Sequence, residues 1–342
     1  MQITRFGPEH LEAAAELATA GFALERKHIA TLPRRHEDKS GLLPLLERLA
    51  GKAPAVAVLD DDGTLLGFLM GMSLPSFKGT QRGVYCPEWA HAAAGGAPGR
   101  RAEIYRRLYG HISAEWVGSG CFTHALTLFA HDDELADALF RIGFGMLVID
   151  AVRSLEPVEG GYGEGNGVPG AEGKVEIRQA GPKDIAHLLP LAGESQRHTA
   201  VAPTFLPLLV AQDRDHFEEW LTEPDHTLWM AFQGHDAIGY MRSEPTNDWE
   251  CHAVSDPRTL RLSGAYLRQA LRGRGVASSL LGRVVEWARS HDYERCAVDF
   301  ESANSLGASF WLRHFVPVCH SMIRHVDERV ASANGGSTDS AR

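Results

Sequence analysis

A glycine-rich turn is the feature of this sequence best suited to chemistry. It follows a strand-like stretch and has the sequence Arg272-Gly273-Arg274-Gly275. Beyond it, apolar residues recur every four positions, at Val276, Leu280, Val284 and Ala288. This spacing predicts a helix that begins at the turn. Because the first N–H groups of a helix lack partners and its dipole favours negative charge there, the turn predicts a pyrophosphate site.

The residues around the turn exclude two common nucleotide-binding motifs. Ser278 stands where the dinucleotide fingerprint needs a third glycine, and the sequence contains no Gly-Lys-Ser or Gly-Lys-Thr of a P-loop. A helix-capping loop without a ligand is the alternative interpretation of the turn. An RNA-binding turn is disfavoured, because no aromatic stacking motif accompanies the two arginines.

A glycine-rich segment near the middle of the chain separates the elements that must position this turn. The 342 residues predict about two domains. We interpret residues 158–174 as a flexible linker between a first domain at 1–157 and a second at 175–330, because the segment has almost no core-forming residue. Residues 331–342 predict a disordered tail.

Three patterns occur in the same order in both halves, which indicates an internal duplication. Each half opens with a strand, a Gly-Pro turn and a helix, continues with a strand hairpin, and closes with a matching aromatic segment. The matching pairs are residues 3–11 with 177–185, 56–69 with 229–241, and 140–144 with 311–315. The alternation of strands and helices in each copy predicts a mixed α/β fold.

The turn resembles the acyl-CoA loop of the GNAT superfamily of N-acetyltransferases. That loop has the pattern Gln/Arg-x-x-Gly-x-Gly/Ala between a strand and a helix, and Arg272, Gly275 and Ala277 stand at those positions. An apolar strand at 296–300, then Asn304 and a helix with an aromatic pair follow, in the order of the family.

The resemblance covers the second half from Val175 to about Arg329 and extends to the first half, so the chain looks like a tandem GNAT protein. It implies an α/β (α+β) fold of two GNAT-like acyl-CoA N-acyltransferase domains, each a mixed, mostly antiparallel sheet flanked by helices. The first half lacks the loop pattern before its corresponding helix near Ile104. We therefore expect the first copy to have lost CoA binding, although the glycines within 95–99 leave a phosphate site as an alternative.

The resemblance also implies where acetyl-CoA binds as cosubstrate. Its pyrophosphate would lie on the loop and its pantetheine beside the preceding strand, where the Leu267 N–H would stabilise the oxyanion. Asn304 would bind the pantetheine, or alternatively cap a helix. The implied cofactor-binding residues are Leu267, Arg272, Gly273, Arg274, Gly275, Val276, Ala277, Ser278 and Asn304.

Direct transfer also needs a base to take a proton from the amine, and an acid can protonate the departing thiolate. We name Glu301, Tyr266 and Glu250 as candidates for these roles. The two carboxylates are alternatively surface charges, and the tyrosine a core residue. The tyrosine acid usual in the family aligns with Trp311, whose indole N–H is not a practical proton donor.

The sequence predicts neither a metal nor a disulfide framework. The cysteines are widely spaced and never form a CxxC pair, at Cys86, Cys121, Cys251, Cys296 and Cys319. The polar run from His131 to Asp133 is better explained as a helix start than as a metal site. Reduced thiols fit a cytoplasmic protein.

Charge and hydropathy limit the partners. Lys and Arg number 34 against 44 Asp and Glu, which gives a formal net charge of -10 and disfavours duplex nucleic acid. No apolar run approaches the roughly 20 residues of a membrane span, and the N-terminal residues lack the pattern of a secretory signal. We expect a cytoplasmic monomer or homodimer with no nucleic acid or membrane partner.

These observations favour an N-acetyltransferase that moves an acetyl or other acyl group from acetyl-CoA to an amine by direct attack in a ternary complex. The acceptor would be a small-molecule or peptide amine. The alternative is a non-catalytic CoA-binding or regulatory protein with a degenerate GNAT fold, which the missing tyrosine and the altered first copy would explain.

Overall fold

A computed structural model of the protein describes most of the chain. The described residues are 1–35, 37–77, 81–160, 174–206, 213–247 and 250–330. Most of the predicted linker and all of the predicted tail lie outside these ranges.

The described chain divides into two units that exchange segments. The first unit consists of Met1–Ile149, Cys251–Ala253 and the chain from Pro317 onward, and the second of Asp150–Glu250 and Val254–Val316. The bounds 1–157 and 175–330 stay a prediction about where the two copies begin and end. The units differ from those copies because the end of each copy's last strand belongs to the other unit.

The first unit combines short strands with two long and two short helices. Its strands are β1 (Gln2–Arg5), β2 (Ala55–Leu59), β3 (Leu65–Met70), β4 (Met72–Phe77), β5 (Gln81–Cys86), β6 (His91–Ala93), β7 (Thr123–Phe129), the start of β8 (Gly145–Ser154) and nearly all of β14 (Val316–His325). Its helices are α1 (Leu11–His28), α2 (Leu43–Ala50), α3 (Arg100–Gly118) and α4 (Asp133–Arg141), with 3-10 turns at Pro8–His10 and Lys39–Gly41.

Pairing in the first unit is mostly antiparallel. Strands β1, β2, β3 and β6 form one sheet in that order, and β4, β5, β7 and β14 follow one another in another. Only the β5–β7 pair among these is parallel. Helix α3 places Ile104, Leu108, Ile112 and Trp116 at helical spacing in the core beside β7.

The second unit repeats this plan with longer strands. Its strands are residues 150–154 of β8, β9 (Val175–Ala180), β10 (Thr227–Gln233), β11 (Asp236–Pro245), β12 (Thr259–Leu267) and β13 (Arg295–Glu301). Its helices are α5 (Ile185–Ala200), α6 (Arg214–Trp220), α7 (Val276–Ser290) and α8 (Ser305–His314), with 3-10 turns at Pro182–Asp184 and Gln269–Leu271.

The sheet of the second unit runs β9, β10, β11, β12, β13, antiparallel up to the parallel β12–β13 pair. Its core packs the apolar face of α5, with Leu188 and Leu191, against Leu228 and Met230 of β10. The two hairpins expected from the repeated patterns are confirmed as β2–β3 and β10–β11. Among the described helices, none has both the length and the apolar character needed to cross a membrane.

Candidate functional site

The parallel strands of the second unit separate part-way along their length. Pairing of β12 with β13 ends at Leu262 and Val298, although the strands continue to Leu267 and Glu301. At the same point the register of β12 with β11 shifts, which leaves Ser263 as an extra residue. A bulge of this kind bends its strand. A wedge therefore opens between β12 and β13 beyond Ser263.

The backbone of β12 presents hydrogen-bonding groups to this wedge. Arg268 N donates to Ile238 O at 3.0 Å, so in the next pair, Gly239 with Leu267, the N–H and C=O groups point away from β11. The carbonyl of Leu267 supports this direction. Leu267 O accepts a hydrogen bond from Arg272 Nε at 2.9 Å, on the side of β12 away from β11. The Leu267 N–H consequently faces the wedge.

The glycine-rich turn has the backbone of an anion-binding helix start. Gly273 and Gly275 have φ angles of 75° and 80°, in the left-handed region that favours glycine. Gly275 is the N-cap of α7, and a Cβ on Gly273 would meet nothing within 4 Å. Because the helical ladder starts with Ser279 N donating to Gly275 O at 2.9 Å, the three preceding amides lie outside it.

A cavity of about 700 Å³ includes both the turn and the wedge, within the usual range of roughly 300–1,000 Å³ for small-molecule pockets. All nine residues implied to bind the cofactor lie on its wall. Asn304 does so while also capping α8, since its Oδ1 accepts a hydrogen bond from Gly307 N at 3.2 Å. The two roles weighed for Asn304 in the sequence are therefore compatible.

The structure separates the three candidate catalytic residues. Tyr266 lines the cavity, whereas Glu250 and Glu301 are not among its described wall residues. Glu250 forms an ion pair with Arg261 and accepts a hydrogen bond from Asn247 N at 2.9 Å. Burial raises the pKa of the Glu250 carboxyl, against the effect of the Arg261 charge.

Tyr266 is half-buried among charged groups. Burial raises the pKa of its hydroxyl, and the neighbouring carboxylate of Glu194 raises that pKa further. The guanidinium carbon of Arg272 lies 5.7 Å from the centre of the ring. Tyr266 therefore keeps its proton at neutral pH and can donate a hydrogen bond into the cavity.

Three polar residues of α5 reach the cavity without having been identified in the sequence: Ser195, His198 and Thr199. The sequence of α5 does contain a pattern that predicts two of them, Ser195 and His198. Leu188 and Leu191 mark the buried face of α5, and Ser195 and His198 continue that face at helical spacing. An apolar stripe that becomes polar at the end of a helix is a sign of a cavity wall.

His198 is the one imidazole on the described wall of this cavity. Its ring centre lies 6.4 Å from that of Tyr266. Burial lowers the pKa of His198, and the positive charge of Arg272 acts in the same direction. The imidazole is therefore neutral at physiological pH and able to accept a proton.

The aromatic pair of α8 also reaches the wall. Trp311 is 8% exposed, and its ring packs edge to face on Phe310 with 4.8 Å between centroids. In the first unit, Asp132 of the polar run accepts a hydrogen bond from Leu135 N at 3.2 Å. It is the N-cap of α4, the helix start expected for that run.

Residues 197–314 match the family model described as Acetyltransferase (GNAT) family. This part of the chain is a GNAT domain. No curated protein sequence matches the chain.

Two solved structures share the fold over nearly the whole chain. One is a GCN5-related N-acetyltransferase from Sphaerobacter thermophilus, with 14% identity, a TM-score of 0.54 and 95% of each chain covered. The other is a fungal GH3 β-N-acetylglucosaminidase with a GCN5-related glucosamine N-acetyltransferase region, with 13% identity, a TM-score of 0.52 and 94% of this chain but 38% of that one covered. At these identities they show the fold, which confirms the expected tandem GNAT architecture.

Proposed function

We propose that the GNAT domain of the second unit transfers an acetyl group from acetyl-CoA to a small-molecule or peptide amine by direct attack while both substrates are bound. One observation carries this proposal: a single cavity includes both a glycine-started helix N-terminus and a wedge between parallel strands. Acetyl-CoA supplies the activated acyl group as a thioester.

The turn would hold the pyrophosphate. The amides of Val276, Ala277 and Ser278 precede the helical ladder of α7, so they can donate to phosphate oxygens. Arg272 and Arg274 add positive charge on the same wall. Glycine at 273 keeps the approach to these amides open, since no side chain projects there.

The wedge would hold the thioester. The Leu267 N–H faces it and would donate to the oxygen that becomes negative when the amine attacks. His198 would take the proton of the incoming amine, because the lowered pKa keeps this imidazole neutral. Glu250 and Glu301 remain the carboxylate candidates predicted from the sequence, outside the described wall.

Tyr266 would assist the leaving thiolate. A thiol has a pKa of about 8.5, and the raised pKa of Tyr266 lies above its ordinary value of about 10. Complete proton transfer from the tyrosine is therefore unfavourable. A hydrogen bond from its hydroxyl to the sulfur is favourable and gives this GNAT domain a leaving-group partner although Trp311 occupies the aligned position of the usual tyrosine.

Release of free thiol from acetyl-CoA, measured with a panel of amines, tests the activity. The panel includes amino acids, peptides, aminoglycosides and glucosamine, the last because the similar fungal region is named for that activity. We expect amine-dependent release by the wild-type chain. Ala277→Glu should abolish it, since a carboxylate would stand at the pyrophosphate site, while the uncharged Ala277→Gln should retain most of it.

A pH profile tests the base. In the plot of kcat/KM against pH, the decrease on the acid side should have its midpoint below about pH 6.5, the ordinary pKa of histidine. This decrease should disappear in His198→Gln. Tight acetyl-CoA binding with slow, amine-independent thiol release would instead support the non-catalytic alternative. A folded wild-type protein that does not bind acetyl-CoA would contradict both.

A further inference from the structure

Three side chains with metal-binding atoms meet inside the first unit. Cys251 Sγ lies 3.1 Å from Cys319 Sγ and 3.3 Å from an oxygen of Glu88. The three ligand atoms all lie within 4.8 Å of one another. All three residues are buried, with 2% exposure for Glu88, 5% for Cys251 and 0% for Cys319.

The Glu88 carboxylate is unusual in this setting. Its Oε1 accepts hydrogen bonds from Ala253 N at 2.7 Å and from the Cys251 thiol. Its Oε2 is buried without a hydrogen-bond partner among the described residues. A buried polar oxygen without a partner costs free energy, and a bound cation would supply the partner that Oε2 lacks.

We propose that Glu88, Cys251 and Cys319 bind one divalent cation of the zinc type. Two thiolates and a carboxylate are a ligand set that Zn²⁺ accepts, with the fourth tetrahedral position left to water. Binding releases the protons of both thiols and of the carboxylic acid to solvent, and no electrons are transferred. The cation also provides the missing partner of the buried carboxylate.

The distance between the two cysteine sulfurs allows zinc coordination after a small movement of these side chains. Zn–S bonds of about 2.3 Å in tetrahedral geometry place two sulfurs roughly 3.8 Å apart, so the cysteines would separate by about 0.7 Å from the observed 3.1 Å. Arg35 lies close enough for its positive charge to act on Glu88. Its Nη2 donates to His252 Nδ1 at 2.7 Å, next to Cys251, and its charge offsets the net negative charge of a cation with three anionic ligands.

A disulfide between the two cysteines fits these contacts less well. It would remove the hydrogen bond that the Cys251 thiol donates to Glu88 Oε1, and it would leave Glu88 Oε2 without a partner. A cation engages all three groups. The absence of a metal predicted from cysteine spacing is revised by this proposal, because the ligands come from three distant positions that only the fold brings together.

Metal analysis of the full chain, purified under reducing conditions without added chelator, tests the site. We expect about one zinc per chain. After removal of the zinc, titration with Co²⁺ should produce thiolate-to-cobalt charge-transfer absorption. Cys251→Ser, Cys319→Ser and Glu88→Gln should each weaken Co²⁺ binding at least about tenfold. Cys86→Ser is the matched control, since it alters a buried cysteine of the same unit outside the cluster, and it should bind normally.

Glu88→Gln keeps the proposal testable if the serine variants fail to fold, because it removes a buried charge and preserves shape. Unchanged Co²⁺ affinity in that variant would overturn the assignment of Glu88. Wild-type protein that takes up neither Zn²⁺ nor Co²⁺ with all thiols reduced would overturn the site. A chain that lacks metal and has lost two hydrogens by intact mass would indicate the disulfide instead.

Discussion

In both units the pairing of two parallel strands stops before the end of at least one strand, and the space beyond the last pair is used differently in the two units. In the second unit the wedge beyond Leu262 and Val298 is part of a cavity. In the first, β5 ends at Cys86 opposite Leu126 while β7 continues to Phe129, and a side chain lies in the gap beyond the end of β5. The same fold therefore presents backbone groups to a cavity in one copy and to its own side chain in the other.

That side chain is His91 of β6. Its Nε2 lies 2.8 Å from Thr127 O, on the stretch of β7 beyond the last pair, and its Nδ1 lies 2.8 Å from the Tyr105 hydroxyl. The imidazole is 4% exposed. It thus satisfies a strand carbonyl that a bound ligand would otherwise meet.

The helix starts show the same difference. Gly99 before α3 has a φ of 82°, close to the 80° of Gly275 before α7. In the first unit, however, Ala102 N donates to a carboxylate oxygen of Glu134 at 3.3 Å. The backbone turn persists while a carboxylate of the chain takes the position of an anion. These contacts give a physical reason for the expected loss of CoA binding in the first copy.

Acidification should affect the first unit most. Burial lowers the pKa of His91 to about 4 and that of His124 to about 4, so both are neutral when folded at neutral pH. In the unfolded chain their pKa is about 6.5, and only the unfolded state gains protons between these values. The contribution of these two neutral histidines to the free energy of unfolding is complete above a pH of about 6.5. It is lost as the pH falls towards about 4, by roughly 3 kcal/mol for each histidine.

Urea unfolding at about pH 7 and about pH 5 measures this loss of the free energy of unfolding. Amide exchange resolved by peptide should place it in β7 rather than in β12. His91→Gln, which can still bridge Tyr105 and Thr127, should reduce the pH dependence by about half. An equal loss of amide protection in β7 and in β12 would contradict the assignment of the pH effect to the first unit.

A carboxylate introduced at each of the two helix starts should weaken acetyl-CoA binding only in the second unit. Ala277→Glu places a carboxylate in the first turn of α7, where the helix dipole tolerates it but a pyrophosphate does not. We expect acetyl-CoA affinity to fall at least about 100-fold, or about 2.7 kcal/mol. Arg100→Glu also places a carboxylate in the first turn of α3, with a larger change of charge because it removes an arginine, and it should leave the affinity within about twofold.

Isothermal titration gives both the affinity and the number of sites. The wild type should bind one acetyl-CoA per chain. A second site, or a larger loss in Arg100→Glu than in Ala277→Glu, would mean that the first copy binds the cosubstrate.

Tyr266 lines the cavity of the second unit and Tyr105 contacts the histidine of the first, and only Tyr266 should matter for turnover. Tyr266→Phe removes the hydroxyl that would stabilise the thiolate, so kcat should fall roughly tenfold, about 1.4 kcal/mol, with acetyl-CoA affinity unchanged. Tyr105→Phe removes a hydroxyl that lies 2.8 Å from His91 Nδ1 and also interacts with Arg101, within the first unit. It should lower stability without changing kcat, and steady-state kinetics with urea unfolding separate the two effects.

The features that the sequence predicted are local ones. The hairpins and the helix that begins at Val276 follow from turn residues and from spacing along one helix, whereas the nine wall residues were implied by the resemblance of the turn to the acyl-CoA loop. The wall residues are close in sequence, apart from Asn304, and one helix start positions most of them. Local pattern was therefore sufficient to predict the turn and the helix start that form this part of the cavity wall, and the binding of a cofactor there stays a prediction.

The features that escaped the sequence depend on long-range pairing. The gap that His91 fills exists only because β5 pairs with β7, and Cys319 reaches the first unit only because β14 pairs with β7. Glu250 was chosen for its place near a strand, but its direction depends on Arg261, which holds it elsewhere. No spacing rule reports such contacts.

The smallest effect should come from Glu134, and it separates the two barriers to ligand binding in the first unit. Glu134→Gln removes the negative charge at the start of α3, so the free energy of unfolding should fall by about 0.5 kcal/mol, within the usual range for a helix dipole. Glu134→Asp keeps the charge but shortens the reach to Ala102 N, so it should show part of this loss. Titration of Glu134→Gln should still give one acetyl-CoA per chain, because His91 continues to fill the strand gap. A second site in this variant would show that the carboxylate alone excludes the cosubstrate and that the histidine does not.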